Sequence, residues 1–342
     1  MHEVAMERVR LEPRLSARIV ARRSLSYREG ASEALDRPRH VRAASGAAWI
    51  GDRLALIQDD AHFIALVDPQ TGLAEAIALP PGPGGKRLFD DTRGSKHLKL
   101  DLEACFAVQR GDTHELIALG SGSKPLRERI VLLRLRPAPS GSAHTPELRV
   151  IDASSLYHTL HEAVAFSGSE LNLEGALLRG DSLLLFQRGN GAPRDALAPI
   201  NAVAELSWPD FEHYLASRGA GDVPKLRAIT QYDLGAAEHV PYTFTDATLA
   251  PSGDIVFLAS AEDSSSAVTD GTIQGTHVGR LARDGSARMA PLLDERGEPS
   301  RAKAEGIALD RGDPTRAWVV VDMDDPALAS ELLEVELALG DR

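Results

Sequence analysis

With one cysteine, Cys105, the chain has no second thiol with which to form an internal disulfide. That cysteine sits in the apolar run Ala104-Cys105-Phe106-Ala107-Val108, a setting for a buried inert thiol rather than a nucleophile. Basic excess is missing too. The formal charge of −12 opposes general nucleic-acid binding, which needs a basic surface, and suits solubility or the binding of cations. Long apolar runs are also lacking, so no membrane span is expected. The first 23 residues, broken by Glu3, Glu7, Glu12 and several arginines, have no apolar signal-peptide core, and a cytoplasmic location is the default expectation.

What is present is an ordinary globular composition, 43% hydrophobic and 26% charged over 342 residues. Such a length suggests two domains, but all-β propellers exceed it as one unit, and a single domain over 1–342 is expected.

The organising feature is an internal repeat. A small or acidic anchor followed by Gly or Ala opens an apolar strand; a turn follows, then a second apolar strand ending in polar residues. The anchors fall in Ser45-Gly46, Glu103-Ala104, Glu174-Gly175, Asp246-Ala247 and Glu305-Gly306, about 60 to 70 residues apart. Gly51-Asp52, Gly180-Asp181 and Ser252-Gly253-Asp254 are hairpin signals inside the units. The pattern predicts an all-β fold: a five-bladed β-propeller of four-stranded blades near 40–80, 98–155, 170–235, 243–296 and 302–340. The last unit is one strand short, and a segment within 16–28 is expected to complete it and close the ring. Trp208-Pro209-Asp210 opens a helical insertion over about 209–218, and Pro137 to Pro146 reads as a surface loop.

In a propeller the first strand of each blade lines the channel, so Ser45, Glu103, Glu174, Asp246 and Glu305 should converge. Four carboxylates in one channel repel, and burying them uncompensated is costly. A hard divalent cation relieves this, and a ligand set of oxygen alone favours Ca²⁺. A water-filled channel with one or two protonated carboxylates is the alternative.

These anchors resemble those of propellers related to calcium-activated nucleotidases (apyrases), in which Ser and Glu residues from five blades hold a channel calcium. Ser45, Glu103, Glu174 and Glu305 match that pattern, while Asp246 stands where a serine is expected. Gln58-Asp59-Asp60 is similar to the nucleotidase Asp-Asp segment, with Ala61-His62 in place of the arginine that follows it. Leu-Glu-Gly and Ala-Glu-Gly at the third and fifth anchors are equally similar to esterase-like phytases and to an uncharacterised bacterial propeller family.

Loops leaving each second strand, and those entering each blade, should share the channel mouth. They bring Asp59, Asp60, His62, Lys96, His97, Ser121, Lys124, Arg188, Asn190, Arg301, Lys303, Asp322 and Asp324 there. Cations such as Lys96 and Arg188 beside a metal suit a small anionic substrate, with Asp59 or His97 as candidate base. The expected function is a calcium-dependent hydrolase of a phosphoester, phosphoanhydride or lactone; a non-catalytic propeller with a structural cation is the competing reading. His158 to Glu162 has the wrong order for a zinc motif and reads as a helical surface pair, Gly82 to Lys86 has the wrong spacing for a P-loop, and Gly120 to Ser123 reads as a turn rather than a nucleophile elbow. Asp322-Met323-Asp324-Asp325 lacks the EF-hand glycine and terminal glutamate.

Overall fold

The computed structural model describes residues 5–137, 144–263 and 271–339. Most of the loop expected over 137–146 therefore lies outside the described residues.

The building unit is an antiparallel meander. Ala44–Ile50, Arg53–Gln58, Phe63–Asp68 and Leu73–Ala78 pair in sequence order. Leu102–Arg110, Thr113–Gly120, Arg129–Pro137 and His144–Asp152 repeat the arrangement. So do Leu173–Arg179, Ser182–Gln187, Asn201–Ser207 and Leu226–Asp233. Val240–Leu249, Ile255–Asp263, Thr272–Leu281 and Ala287–Leu293 follow. The final meander, Ala304–Leu309, Arg316–Val321 and Glu331–Ala338, takes Ser16–Ser24 as its outer antiparallel partner. The first strands of the meanders touch in a closed cycle, with Ala304–Leu309 returning to Ala44–Ile50. Sheets arranged radially about such a cycle make a β-propeller type of fold.

Apolar side chains fill the spaces between neighbouring sheets. Ala55, Ile57 and Ile64 of the first meander meet Cys105, Leu116 and Leu133 of the second. Phe186 of the third meets Phe244 of the fourth edge to face at 5.3 Å, and Phe244 in turn meets Phe257 of its own meander edge to face at 5.2 Å. Cys105 is buried, and burial pushes its thiol well above the usual value, which keeps it inert.

The N-terminal segment does more than supply one strand. Ala5–Arg8 runs parallel to Leu226–Asp233, Arg10–Leu11 to Ala287–Leu293, and Ser26–Tyr27 to Leu73–Ala78. It thus laces the outer edges of successive sheets and covers strand edges that would otherwise be open. The helix near 209–218 is Trp208–Ala216, capped by Ser207 accepting from Asp210 N–H. Ser154–Glu162 and Val164–Ser167 are further short helices, seated by Leu156, Tyr157, Leu160 and Phe166. Among the described residues no helix is long and apolar enough to cross a membrane.

Candidate functional site

Each first strand carries a β-bulge at the same place. Pairing slips at Ser45, Glu103, Glu174, Thr245 and Glu305, the residue left unpaired in each case. A bulge re-aims the side chain it carries, here at the narrow centre of the cycle. The small residue after the anchor has a packing cause. A Cβ on Gly306 would lie 2.8 Å from Gly46 Cα and 2.9 Å from Ala47 N, so only glycine lets the backbones approach this closely.

The bulge register corrects one sequence assignment. In the fourth unit the anchor position belongs to Thr245; Asp246 is one residue beyond it and serves a different purpose. Its carboxylate accepts Ala247 N–H at 2.8 Å and Ile307 N–H at 2.7 Å, stapling the fourth first strand to the fifth. Thr245 Oγ1 donates to Ala304 C=O at 2.7 Å, and Ser45 Oγ donates to Leu102 C=O at 2.5 Å. In both cases the acceptor directly precedes the next anchor, which confirms the equivalence of the two hydroxyls.

Ser45, Glu103, Glu174 and Glu305 line a cavity of about 50 Å³, and Asp246 is not part of its wall. A second tier comes from two residues before the anchors, where Asp101, Asn172 and Lys303 also line it. A third comes from the ends of the second strands. Asp59, Ser121, Arg188 and Asp322 each donate N–H to the carbonyl two residues before their own unit's anchor, at 2.8 to 3.1 Å. That shared hydrogen bond delivers Asp59, Arg188 and Asp322 to the cavity wall.

Charge is dense here. Asp59, Asp101, Glu103, Glu174, Glu262, Glu305 and Asp322 face Lys96, Lys99, Arg127, Arg188 and Lys303. Lys99 Nζ lies 2.5 Å from Asp59 and 2.6 Å from Asp101. Arg188 donates to Glu174 at 3.2 Å and to Glu262, and stands 3.9 Å from Glu305. Asn172 Nδ2 donates to Glu174 at 2.7 Å. Burial is the largest force on the carboxyl groups. It pushes Glu174 up to about 8, with Glu305 and Asp101 adding to it and Arg188 opposing. Glu305 rises to about 7, again by burial, with Arg188 and Lys303 opposing. Glu103 is driven well above the carboxylate range by burial, then by Glu174, Asp101 and Asp59. Burial works against the Lys99 ammonium, but Asp101, Asp59 and Glu103 outweigh it and hold it charged.

These residues fit a hard cation. Glu174 Oε2 and Glu305 Oε1 are buried oxygens without a hydrogen-bond partner, on side chains 3% and 5% exposed. One oxygen each of Asp59, Asp101 and Glu103 lie within 4.8 Å of one another. Every donor is oxygen.

Beside the cavity lies a larger pocket of about 240 Å³, which shares Asp59, Lys96, Lys99 and Asp322 with it. Asp60 lies in its wall, paired with Arg42, whose guanidinium also reaches Asp90 at 3.2 Å. Of the other residues read as mouth-forming, Asn190 lines the inner cavity and Asp324 the outer pocket. His97 is exposed on the turn Lys96–Leu98 and lines neither. His62 is buried, its Nδ1 2.9 Å from Pro80 C=O, and burial lowers it to about 4. Lys124 and Arg301 also lie outside both walls. Lys99 and Asp101 were not singled out from sequence, although Lys99-Leu100-Asp101-Leu102-Glu103 alternates so that all three share one face. Glu262 carries no sequence signal at all: it lies far from its unit's anchor and is brought in by the length of Ile255–Asp263.

The chain belongs to the family of unknown function DUF6929, whose model matches residues 40–337. The comparison with curated proteins gives no match. Among solved structures, a glutaminyl cyclase from Myxococcus xanthus is 12% identical, covering 99% of this chain and 100% of that one at a TM-score of 0.44. A mannose phosphorylase from Leishmania mexicana, MPT-4, is 12% identical, with 92% and 88% covered and a TM-score of 0.43. A GH43 β-1,3-galactosidase is 8% identical, with 91% and 93% covered and a TM-score of 0.45. Likenesses at this level carry no argument about activity.

Proposed function

We propose that this DUF6929 member is a five-bladed β-propeller, closed by its N-terminal strand, that holds a calcium ion in the axial cavity and hydrolyses a small molecule beside it. One observation carries the reading. Glu174 Oε2, buried and unpartnered, and Glu305 Oε1, without a hydrogen bond though 3.9 Å from Lys303 Nζ, face a cavity in which seven carboxylates meet five cations. With every carboxyl ionised the wall has a formal excess of two negative charges, which one divalent cation would offset. The nucleotidase-like anchors Ser45, Glu103, Glu174 and Glu305 support it; Thr245 holds the fourth anchor position without lining the cavity.

Glu103, Glu174 and Glu305 would hold the ion, and calcium, when bound, supplies a positive centre that polarises a phosphoryl or acyl oxygen and makes water more acidic. Arg188 and Asn172 position Glu174. Asp59 lies in the wall shared by the two compartments, with Lys99 on Oδ2 and Oδ1 unpartnered, which suits it to accept a proton from water. The outer pocket has the room for a phosphoester, phosphoanhydride or lactone, whose anionic or carbonyl oxygen would meet the cation.

The protein is expected to retain close to one equivalent of calcium after desalting, and Glu174→Gln to lose both the metal and turnover in a phosphatase and lactonase substrate panel. Wild-type turnover that survives complete chelation defeats the metal-dependent reading. The second reading, a structural cation without catalysis, has its own support in the tightness of the cavity, which at about 50 Å³ takes an ion and water but no substrate. A large fall in melting temperature on chelation, with no substrate turned over, selects it.

A further inference from the structure

The outer pocket has the wrong charge for a simple anion-binding cleft. Its wall carries Asp59, Asp60, Asp90, Asp91, Asp322, Asp324 and Asp325 against Arg42, Lys96 and Lys99. Those cations already have acidic partners. Arg42 is held by Asp60 and Asp90, and Lys99 by Asp59 and Asp101. Lys96 stands 3.7 Å from Asp91. Asp91, Asp324 and Asp325 are exposed at the outer rim, while Asp59 and Asp322 are common to this pocket and the axial cavity. Acidic groups therefore lead from solvent inward, with Lys303 among Asp324, Asp322 and Glu305 and Lys99 between Asp59 and Asp101, as far as the buried Glu174 Oε2, which has no hydrogen-bond partner.

We infer that this outer pocket is the loading antechamber of the axial site: its rim carboxylates gather divalent cations from solvent and pass them inward, acting on the rate of uptake while the inner ligands set the rate of release. A low-dielectric cleft lined by one sign of charge focuses its field and raises the local concentration of counter-ions, which accelerates association. The same field disfavours free anions, so an anionic substrate is admitted once the inner site is loaded and the field reduced. The order is cation first, substrate second. The inference rests on the proposed axial cation and adds the route by which it arrives.

The test follows calcium uptake directly, without activity as the readout. Full-length protein stripped with chelator is mixed with calcium in a stopped-flow instrument, with an optical calcium indicator reporting uptake at several salt concentrations. The variant is Asp91→Asn with Asp325→Asn: both side chains lie at the exposed rim, and Asn keeps the oxygen by which Asp325 accepts Ala327 N–H. The control, Asp52→Asn with Asp284→Asn, removes the same charge at turns outside both walls. The rim variant is expected to load on the order of three- to tenfold more slowly at low salt. Its release rate should be unchanged, and the deficit should fade as salt shortens the screening length. Equal loading by wild type and rim variant, or an equal deficit in the control, overturns the antechamber alone. Failure of the wild type to take up calcium overturns the axial cation and the antechamber together.

Discussion

A single position separates a ring residue from a staple in the fourth unit. Thr245-Asp246 offers two polar candidates in succession, and the repeat aligned on Asp246 because acids fill three of the other anchors. In strands successive side chains point to opposite faces, so a slip of one residue changes the role entirely. No local propensity distinguishes Thr245 from Asp246; the bulge does, and a bulge is a property of the paired strands. The other anchors were legible because Gly or Ala follows each, a consequence of close backbone approach. Lys99 and Glu262 were not, since their roles arise from charges contributed by other strands.

The ring also makes a titration prediction. Burial raises Glu174 to about 8 and Glu305 to about 7 in the folded, metal-free protein, against about 4.3 for an unfolded glutamate. Between those values the folded state keeps protons that the unfolded state has released, so stability falls as pH rises from about 4.5 to about 8 and levels beyond it. Melting of the chelator-treated protein should drop by on the order of 5 °C between pH 5 and pH 8. The proposed calcium, which would bind the ionised form, should flatten or reverse that slope. Glu174→Gln should lessen it in the absence of metal, and a chelated wild type whose melting temperature rises over this interval contradicts the assignment.

At the scale of the element, the first strand is a compromise between pairing and convergence. Each keeps an antiparallel ladder with its second strand, yet bulges where the strands crowd together. The alternation of apolar residues and the Gly-Asp turns made the meanders readable in sequence, while of helix Ser154–Glu162 only the surface pair His158 and Glu162 was read as helical, because nine residues give a weak 3.6-residue period. The crowding is testable at Gly306. A Cβ there would press on Val320 Cγ2 at 2.7 Å and on the backbone of Gly46 and Ala47. Backbone cannot yield as a side-chain tip can, so Gly306→Ala should cost about 1–3 kcal/mol by overpacking. Calcium affinity should fall with it, because the strain moves Glu305. Denaturant unfolding and calcium titration measure the two effects, and a variant with wild-type values in both shows that the first strands are not in forced contact.

For the whole molecule the question is how a ring of sheets stays shut. Four outer edges receive a strand from the first 27 residues, and the contribution reaches the core as well as the edges. Ala17 and Ile19 are fully buried in the cluster that joins the fourth and last meanders. Leu25 and Tyr27 are buried in the cluster joining the last meander to the first, and Val9 in that between the third and fourth. A segment of this kind is hard to see in sequence, because short parallel edge strands show neither a hairpin signal nor clear alternation; only the missing outer strand of the last unit pointed to it. Its two parts should differ in consequence. Removing residues 1–14 takes away two short strands whose residues 6–8, 10 and 11 are exposed, together with the buried Val9, and should lower the melting temperature by a few degrees, roughly 2–4 kcal/mol. Removing residues 1–27 also deletes Ser16–Ser24 and uncovers Ile19, Leu25 and Tyr27, each with about 1.5–3 kcal/mol of burial free energy. It leaves an open strand edge as well, and marginal stability does not survive losses of that size. The longer truncation should therefore be recovered as aggregate or expanded chain by size-exclusion chromatography, with calcium binding lost because the first strands no longer converge. A compact monomer with residues 1–27 absent and one calcium bound would show that the ring closes through its core alone.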